Sequence, residues 1–245
     1  MKKSYLILSS LLVLTLAACS QEKPTSSEST TTTEQTSKQE ETESIKQEEV
    51  TSSSEESKQK KAEVVNKGDY YSVQGKYDEI IIANKHYPLS KNYNPGENPT
   101  AKIELLKLIA AMQEEGYAIS DDYSGFRNYE LQKKLYEKYV EEEGKEAADR
   151  ESARPGYSEH QTGLAFDLIE TNGDLVTEEK AAQWLLDHAA DYGFVVRYLK
   201  GKEKETGYMA EEWHLRYVGK EAKDIAASGL SLEEYYGFEG GDYVD

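Results

Sequence analysis

The 245-residue chain has one cysteine, Cys19. A lone thiol closes no disulfide within the chain and offers no thiolate cluster to a metal. Positive charge is also scarce: 29 lysines and arginines against 47 aspartates and glutamates leave a formal net charge of -18, nearly all of it on residues 69–245. A surface this acidic is repelled by phosphate backbones, which excludes nucleic acid as a partner, and it is repelled by anionic lipid headgroups as well. From Ser20 to Gly68 apolar side chains are almost missing, and the segment is built of Ser, Thr, Glu, Gln and Lys. Such a composition cannot offset the entropy of ordering, so it reads as a disordered tether with a root-mean-square reach of about 40 Å. Neither a βαβ rhythm nor an internal repeat is visible.

What is present starts with Lys2 and Lys3, an apolar run, and then Leu16-Ala17-Ala18-Cys19. The run is too short for a membrane span and reads as an export signal. Its ending resembles a bacterial lipoprotein lipobox, which implies cleavage before Cys19 and lipid on its sulfur. No thiol then survives in the mature chain, and cysteine nucleophiles drop out too. The membrane is reached through this anchor, and the expected place is the extracellular face of the bacterial membrane, in the cell-wall space. The expected layout is a signal over residues 1–19, a tether over 20–68 and one domain over 69–245.

Within the domain, Tyr77 to Leu89 reads as a hairpin turning at Asn84-Lys85. Ala101 to Glu115 reads as a helix, with Ile103, Leu106, Ile109 and Ala110 sharing a face and Gly116 at the stop. A short strand over Tyr117–Ile119 and a helix over Glu130–Glu143 follow. Gly163 to Ile169 is a strand, and Asn172-Gly173 is the clearest turn in the chain. A helix over Thr177–Tyr192, strands over Phe194–Tyr198 and Glu212–Val218, a helix from Lys220 and a capping box at Ser231 complete the pattern. The fold class is α+β: a small antiparallel sheet covered by helices.

Four histidines are present. His86 beside a turn and His188 within a helix read as structural. His160 and His214 have different surroundings. On the strand 163–169, Leu164, Phe166 and Leu168 share the core face, so Asp167 lies on the other, beside the small Ala165. A carboxylate there needs solvent, a hydrogen bond or a cation. His160 precedes Asp167 by an odd number of residues and converges with it only through a bend, for which Gly163 is suited. In the last strand His214, Arg216 and Val218 share a face that looks into a cleft if Trp213, Leu215 and Tyr217 are core. Two imidazoles and a carboxylate match the ligand set of a catalytic zinc site with one position open. Glu211, three residues before His214, is then free to act as general base on water and as proton donor to a leaving amine. Arg127, in Ser124-Gly-Phe-Arg-Asn-Tyr, follows a glycine and an aromatic at a strand-to-helix turn. It suits a substrate carboxylate, although pairing with one of the many acids accounts for it equally well.

Ser-Gly-Phe-Arg-Asn-Tyr-x2-Gln (Ser124 to Gln132), Ser-x-His-x2-Gly-x-Ala-x-Asp (Ser158 to Asp167) and Glu-x2-His (Glu211 to His214) occur together and in that order. The combination resembles the VanY-like D-alanyl-D-alanine carboxypeptidases, a branch of the zinc peptidases that includes VanX and the Hedgehog-like domains. The resemblance implies zinc held by His160, Asp167 and His214, Glu211 as acid/base, and Arg127, Gln132 and Ser158 on the substrate's terminal carboxylate. It also implies removal of the C-terminal D-alanine from peptidoglycan stem peptides. The layout of lipobox, tether and domain is most similar to the L,D-carboxypeptidases of the group, which cut the L-Lys-D-Ala bond of tetrapeptides; D,D-cleavage of pentapeptides is the alternative. A monomer is expected. Two other classes stay open: a non-catalytic lipoprotein that binds zinc or wall peptide, and a serine hydrolase built from Ser158, His160 and Asp167. Simple metal capture has no need of Glu211 or Arg127, and no nucleophile elbow surrounds Ser158.

Overall fold

The computed structural model describes residues 61–244. The N-terminal run, Cys19 and most of the acidic segment lie outside the described residues. The last part of that segment lies inside. Val64–Asn66 forms strand β1, antiparallel to β2 (Tyr71–Gln74), and the Ala62 amide donates to the Tyr236 carbonyl at 2.7 Å. A strand thus lies before residue 68, the boundary that composition indicates. Two β-branched valines suffice for an edge strand, whose pairing runs through backbone groups that composition does not register.

Strand β3 (Glu79–Ile82) pairs with β2 and completes a three-stranded sheet. The hairpin expected to turn at Asn84-Lys85 turns instead after β2, where the Gly75 amide donates to the Asp78 carbonyl. Asn84 closes a tight turn of another kind. Its Oδ1 accepts from the His86 and Tyr87 amides, while its Nδ2 donates to Glu233 and to the Glu239 carbonyl. With both ends of the amide engaged, the chain bends at Asn84 and does not return as a strand.

A second antiparallel sheet contains β4 (Ile119–Ser124), β5 (Ala165–Glu170), β6 (Phe194–Tyr198) and β7 (Glu211–Tyr217) in the order β4-β5-β7-β6. Helices α1 (Pro99–Glu114) and α4 (Glu179–His188) pack on this sheet. Their shared core joins Leu105, Leu108 and Met112 of α1 to Phe166 and Leu168 of β5, Trp184 and Leu185 of α4, and Leu215 of β7. The expected core face of α1 is partly corrected. Ile109 is buried, but Ile103 and Leu106 are 56% and 45% exposed. Ala101, Leu105, Leu108 and Met112 form a second apolar stripe at helical spacing, and that stripe faces the sheet.

Helices α2 (Tyr129–Glu143) and α3 (Lys145–Glu151) lie between β4 and β5 in sequence; α3 is a short polar helix that gives no apolar period to read. A single turn, α5 (Glu203–Thr206), precedes β7. Helices α6 (Ala222–Ser228) and α7 (Leu232–Tyr236) cover a smaller core with Val73, Ile80 and Ile82. The capping box at α7 is present: Ser231 Oγ accepts from the Glu234 amide, and the Glu234 carboxylate accepts from the Ser231 amide. The class is α+β as expected, with two antiparallel sheets. Among the described residues no helix is long and apolar enough to cross a membrane.

The two stripes of α1 give a direct test. Leu105→Ala is expected to cost about 2–5 kcal/mol by opening a core cavity, and Leu106→Ala well under about 1 kcal/mol, both read from urea unfolding of the full chain.

Candidate metal centre

Strand pairing does most of the assembly. In the β5–β7 ladder Asp167 stands directly across from His214, a spacing at which opposite side chains touch. His160 arrives from a 3-10 turn, Glu159–Thr162, that runs into β5. The turn is closed by Gly163 at φ 73°, and a Cβ there would run into the Gly96 carbonyl oxygen. The Asn98 amide also donates to the Gly163 carbonyl at 2.9 Å, tying the bend to the start of α1. This is the bend that the odd spacing of His160 and Asp167 requires.

His160, Asp167 and His214 each present a ligand atom, and the three atoms lie within 4.8 Å of one another. His160 Nε2 is 3.2 Å from Asp167 Oδ2, and His214 Nδ1 is 3.3 Å from Asp167 Oδ1. All three residues are buried. His160 Nδ1 sits 2.8 Å from the Gly125 carbonyl, which places the proton on Nδ1 and leaves the Nε2 lone pair facing the centre. His160 Nε2 and Asp167 Oδ1 are buried without a hydrogen-bond partner. A divalent cation bound by two imidazoles and a carboxylate satisfies such atoms, so the donor set fits zinc.

Glu211 and His214 are three apart, a spacing that would put them on opposite faces of a regular strand. The β6–β7 register shifts between Val196, opposite Leu215, and Tyr198, opposite Glu211. The extra β7 residues form a bulge that turns both side chains the same way. Glu211 Oε2 comes to 3.3 Å from His214 Nδ1.

Charge in the centre follows from burial and neighbours. Burial, helped by the nearby Arg127, pushes His160 down to about 4. Burial would raise Asp167, but the two imidazoles hold it well below the ordinary carboxylate range. Glu211 is raised by burial, against the pull of His214. A raised carboxyl in a cleft is suited to taking and returning a proton near neutral pH.

Arg127 follows β4. Its Nη1 donates to Ser124 Oγ at 2.8 Å and lies 3.3 Å from Asp167 Oδ2, while its Nε donates to Gln132 Oε1 at 3.1 Å. Gln132 is buried, and its Nε2 donates to the Ala153 carbonyl at 2.7 Å. In this structure Gln132 holds Arg127 and does not line the cleft. Ser158 does line it, beside Arg127, His160, Asp167, Glu211 and His214, in a cavity of about 390 Å³ whose rim includes Leu175, Met209 and Trp213. Tyr198 packs edge-on against the His214 ring at 4.9 Å.

Two expectations change or fall away, and the structural reading of His86 and His188 holds. Arg216 does not look into the cleft; it is buried, with Nη1 on Glu159 and Nη2 on the Ile81 carbonyl. His160 spends its ring on Gly125 and Asp167, so the serine-hydrolase arrangement with Ser158 does not form. His86 and His188 lie apart from the centre, His86 near Glu239 and His188 against Trp184. The residue that sequence reasoning missed is Glu159, buried behind His214. A single glutamate in so acidic a chain carries no signal of its own.

The model of the VanY family, described as D-alanyl-D-alanine carboxypeptidase, matches residues 96–220. The solved structure of the LdcB LD-carboxypeptidase is 86% identical, with a TM-score of 0.74, over 75% of this chain and 99% of that one. The L,D-carboxypeptidase DacB of Streptococcus pneumoniae is 87% identical over 75% of this chain and all of its own resolved chain, 100%, with a TM-score of 0.74. A point mutant of the vancomycin-resistance D,D-pentapeptidase VanY, solved in complex with Zn(II), is 33% identical, with a TM-score of 0.56, over 63% of this chain and 97% of that one.

The bend at Gly163 yields a prediction. Gly163→Ala forces a side chain into a left-handed backbone position pressed on the Gly96 carbonyl, and it is expected to cost on the order of 2 kcal/mol or more and to weaken zinc uptake. Chemical denaturation and zinc titration of the same variant check both.

Proposed function

The chain belongs to the VanY family of D-alanyl-D-alanine carboxypeptidases, and we propose that it is a zinc-dependent L,D-carboxypeptidase that removes the terminal D-alanine from peptidoglycan tetrapeptides. The observation that carries this reading is the convergence of His160, from the turn before β5, with Asp167 and His214 across the β5–β7 pair, with Glu211 and Arg127 at the same cleft. The identity of 86–87% to L,D-carboxypeptidases supports the L,D choice over D,D cleavage.

His160 Nε2, Asp167 and His214 Nδ1 would hold the zinc. When bound there, the metal supplies a Lewis acid that polarises the scissile carbonyl and makes a water acidic enough to attack near neutral pH. Glu211 takes the proton from that water and returns it to the leaving amine; its buried carboxyl is matched to both transfers. Arg127 and Ser158 face the cleft and would grip the free carboxylate of the last residue, with Gln132 and Ser124 fixing the guanidinium. A clamp on the C-terminus places only the final peptide bond at the reacting centre, which makes the enzyme trim and not cut internally. Metal capture alone gives no role to Glu211 or to the clamp, so the non-catalytic reading is set aside.

The N-terminal sequence supports a location. The run ending Leu16-Ala17-Ala18-Cys19 favours export, cleavage and a lipid on Cys19, which would hold a monomeric domain at the outer face of the membrane within reach of the wall. These residues precede the described ones.

Three outcomes test the reading. With tetrapeptide and pentapeptide muropeptides offered together, mass spectrometry is expected to show alanine lost from the tetrapeptide first; preferential loss from the pentapeptide would move the assignment to D,D cleavage. Glu211→Gln is expected to lower turnover by about two to four decades while zinc stays bound, and near-normal turnover would end the assignment. Cys19→Ala is expected to abolish incorporation of labelled palmitate and to release the protein from the membrane fraction.

A further inference from the structure

Glu159 immediately precedes His160 on the 3-10 turn, yet its carboxylate points to the other histidine. It is buried, and its Oε1 accepts two charge-assisted hydrogen bonds, from Arg197 Nε at 2.8 Å and from Arg216 Nη1 at 2.8 Å. Those bonds fix the carboxylate and leave Oε2 over. Oε2 lies 3.4 Å from His214 Nε2, within ion-pair range, and both atoms are buried without a hydrogen-bond partner. On the far side of the same ring, Nδ1 is 3.3 Å from Asp167 Oδ1 and from Glu211 Oε2. The imidazole is thus held between a carboxylate outside the centre and the cluster inside it.

An imidazole binds a metal through one nitrogen and orients itself through the other. A proton on Nε2, facing Glu159, leaves the Nδ1 lone pair facing Asp167. We propose that Glu159 is a positioning residue for the metal centre: it holds the Nε2 proton of His214, fixes the tautomer and ring orientation, and so makes Nδ1 the coordinating nitrogen. The proposal rests on the reading of His214 as a zinc ligand. It gives the two ligand histidines different supports, a neutral carbonyl at Gly125 for His160 and a carboxylate for His214.

The carboxylate is itself supported. Arg197 donates from Nη1 and Nη2 to Glu233, at 2.9 and 2.6 Å, and Arg216 reaches the Ile81 carbonyl through Nη2. Two buried guanidiniums facing two buried carboxylates keep Glu159 charged without leaving a net charge in the interior. A neutral glutamine at 159 presents either an amide NH₂ to His214 Nε2, donor against donor, or an uncharged oxygen of weaker pull.

Two measurements on the full chain decide the matter. In competition with a chromophoric chelator, Glu159→Gln is expected to bind zinc 10- to 100-fold more weakly than the wild type. Glu233→Gln, which loosens Arg197 without touching Oε2, should stay within about threefold. Far-UV circular dichroism and thermal melts confirm that each variant is folded. Long-range ¹H–¹⁵N spectra of the zinc-loaded wild type form the second measurement, and they need no variant at all. They are expected to show His214 protonated on Nε2 and metal-bound through Nδ1; the reverse pattern would overturn the proposal. So would a folded Glu159→Gln chain with wild-type affinity, or an equal loss in Glu233→Gln. A wild type that takes up no zinc, or a His214→Ala variant that binds it undiminished, would instead remove the reading of the metal centre on which this role depends.

Discussion

The register of β5 against β7 is the constraint on which the rest of this structure turns. It sets Asp167 across from His214, and a slip of one residue would send one of them into the apolar core and the other away from its partner. The register is held by what lies on the opposite face. Phe166, Leu168 and Leu215 are fully buried against α1 and α4, and burying each large apolar side chain contributes about 1.5–3 kcal/mol. The core therefore stabilises the fold and aligns the site in one step, because alternate residues of the same strands do the two jobs.

Polar residues finish what the sheet begins. Glu159, Arg197, Arg216 and Glu233 join the 3-10 turn to β6, β7 and α7, and Arg216 extends the connection to the β3 backbone through Ile81. Buried ion pairs of this kind add little net stability, since desolvation offsets most of their attraction. Their value lies in geometry: no member can shift without stranding another charge. Arg127 shows the same economy at the other edge of the cleft, where Ser124, Gln132 and Asp167 all hold one guanidinium.

Much of this was legible in the sequence, and the exceptions share a cause. The alternation of Leu164, Phe166 and Leu168 against Asp167 places the aspartate off the core face, and Gly163 marks the bend that lets His160 reach it; both follow from local stereochemistry. The shared side of Glu211 and His214 does not, because the β7 bulge is defined only against β6. The buried stripe of α1 could not be chosen from two apolar stripes without the sheet beneath it. Arg216 reads as a cleft residue by parity, and its turn toward Glu159 depends on a glutamate 57 residues earlier in the chain. Strand β1 was hidden for a related reason, since its neighbours in sequence are polar and its partner is β2.

The attachment of β1 has a mechanical consequence. The strand is three residues long, sits at the edge of the smaller sheet, and is joined to the C-terminal region by the single Ala62–Tyr236 backbone bond. Tension applied to the chain before residue 61 enters the domain here, through a few hydrogen bonds, and not through the four-stranded sheet that holds Asp167 and His214. Under such a pull β1 would peel away first, while the four-stranded sheet stays closed.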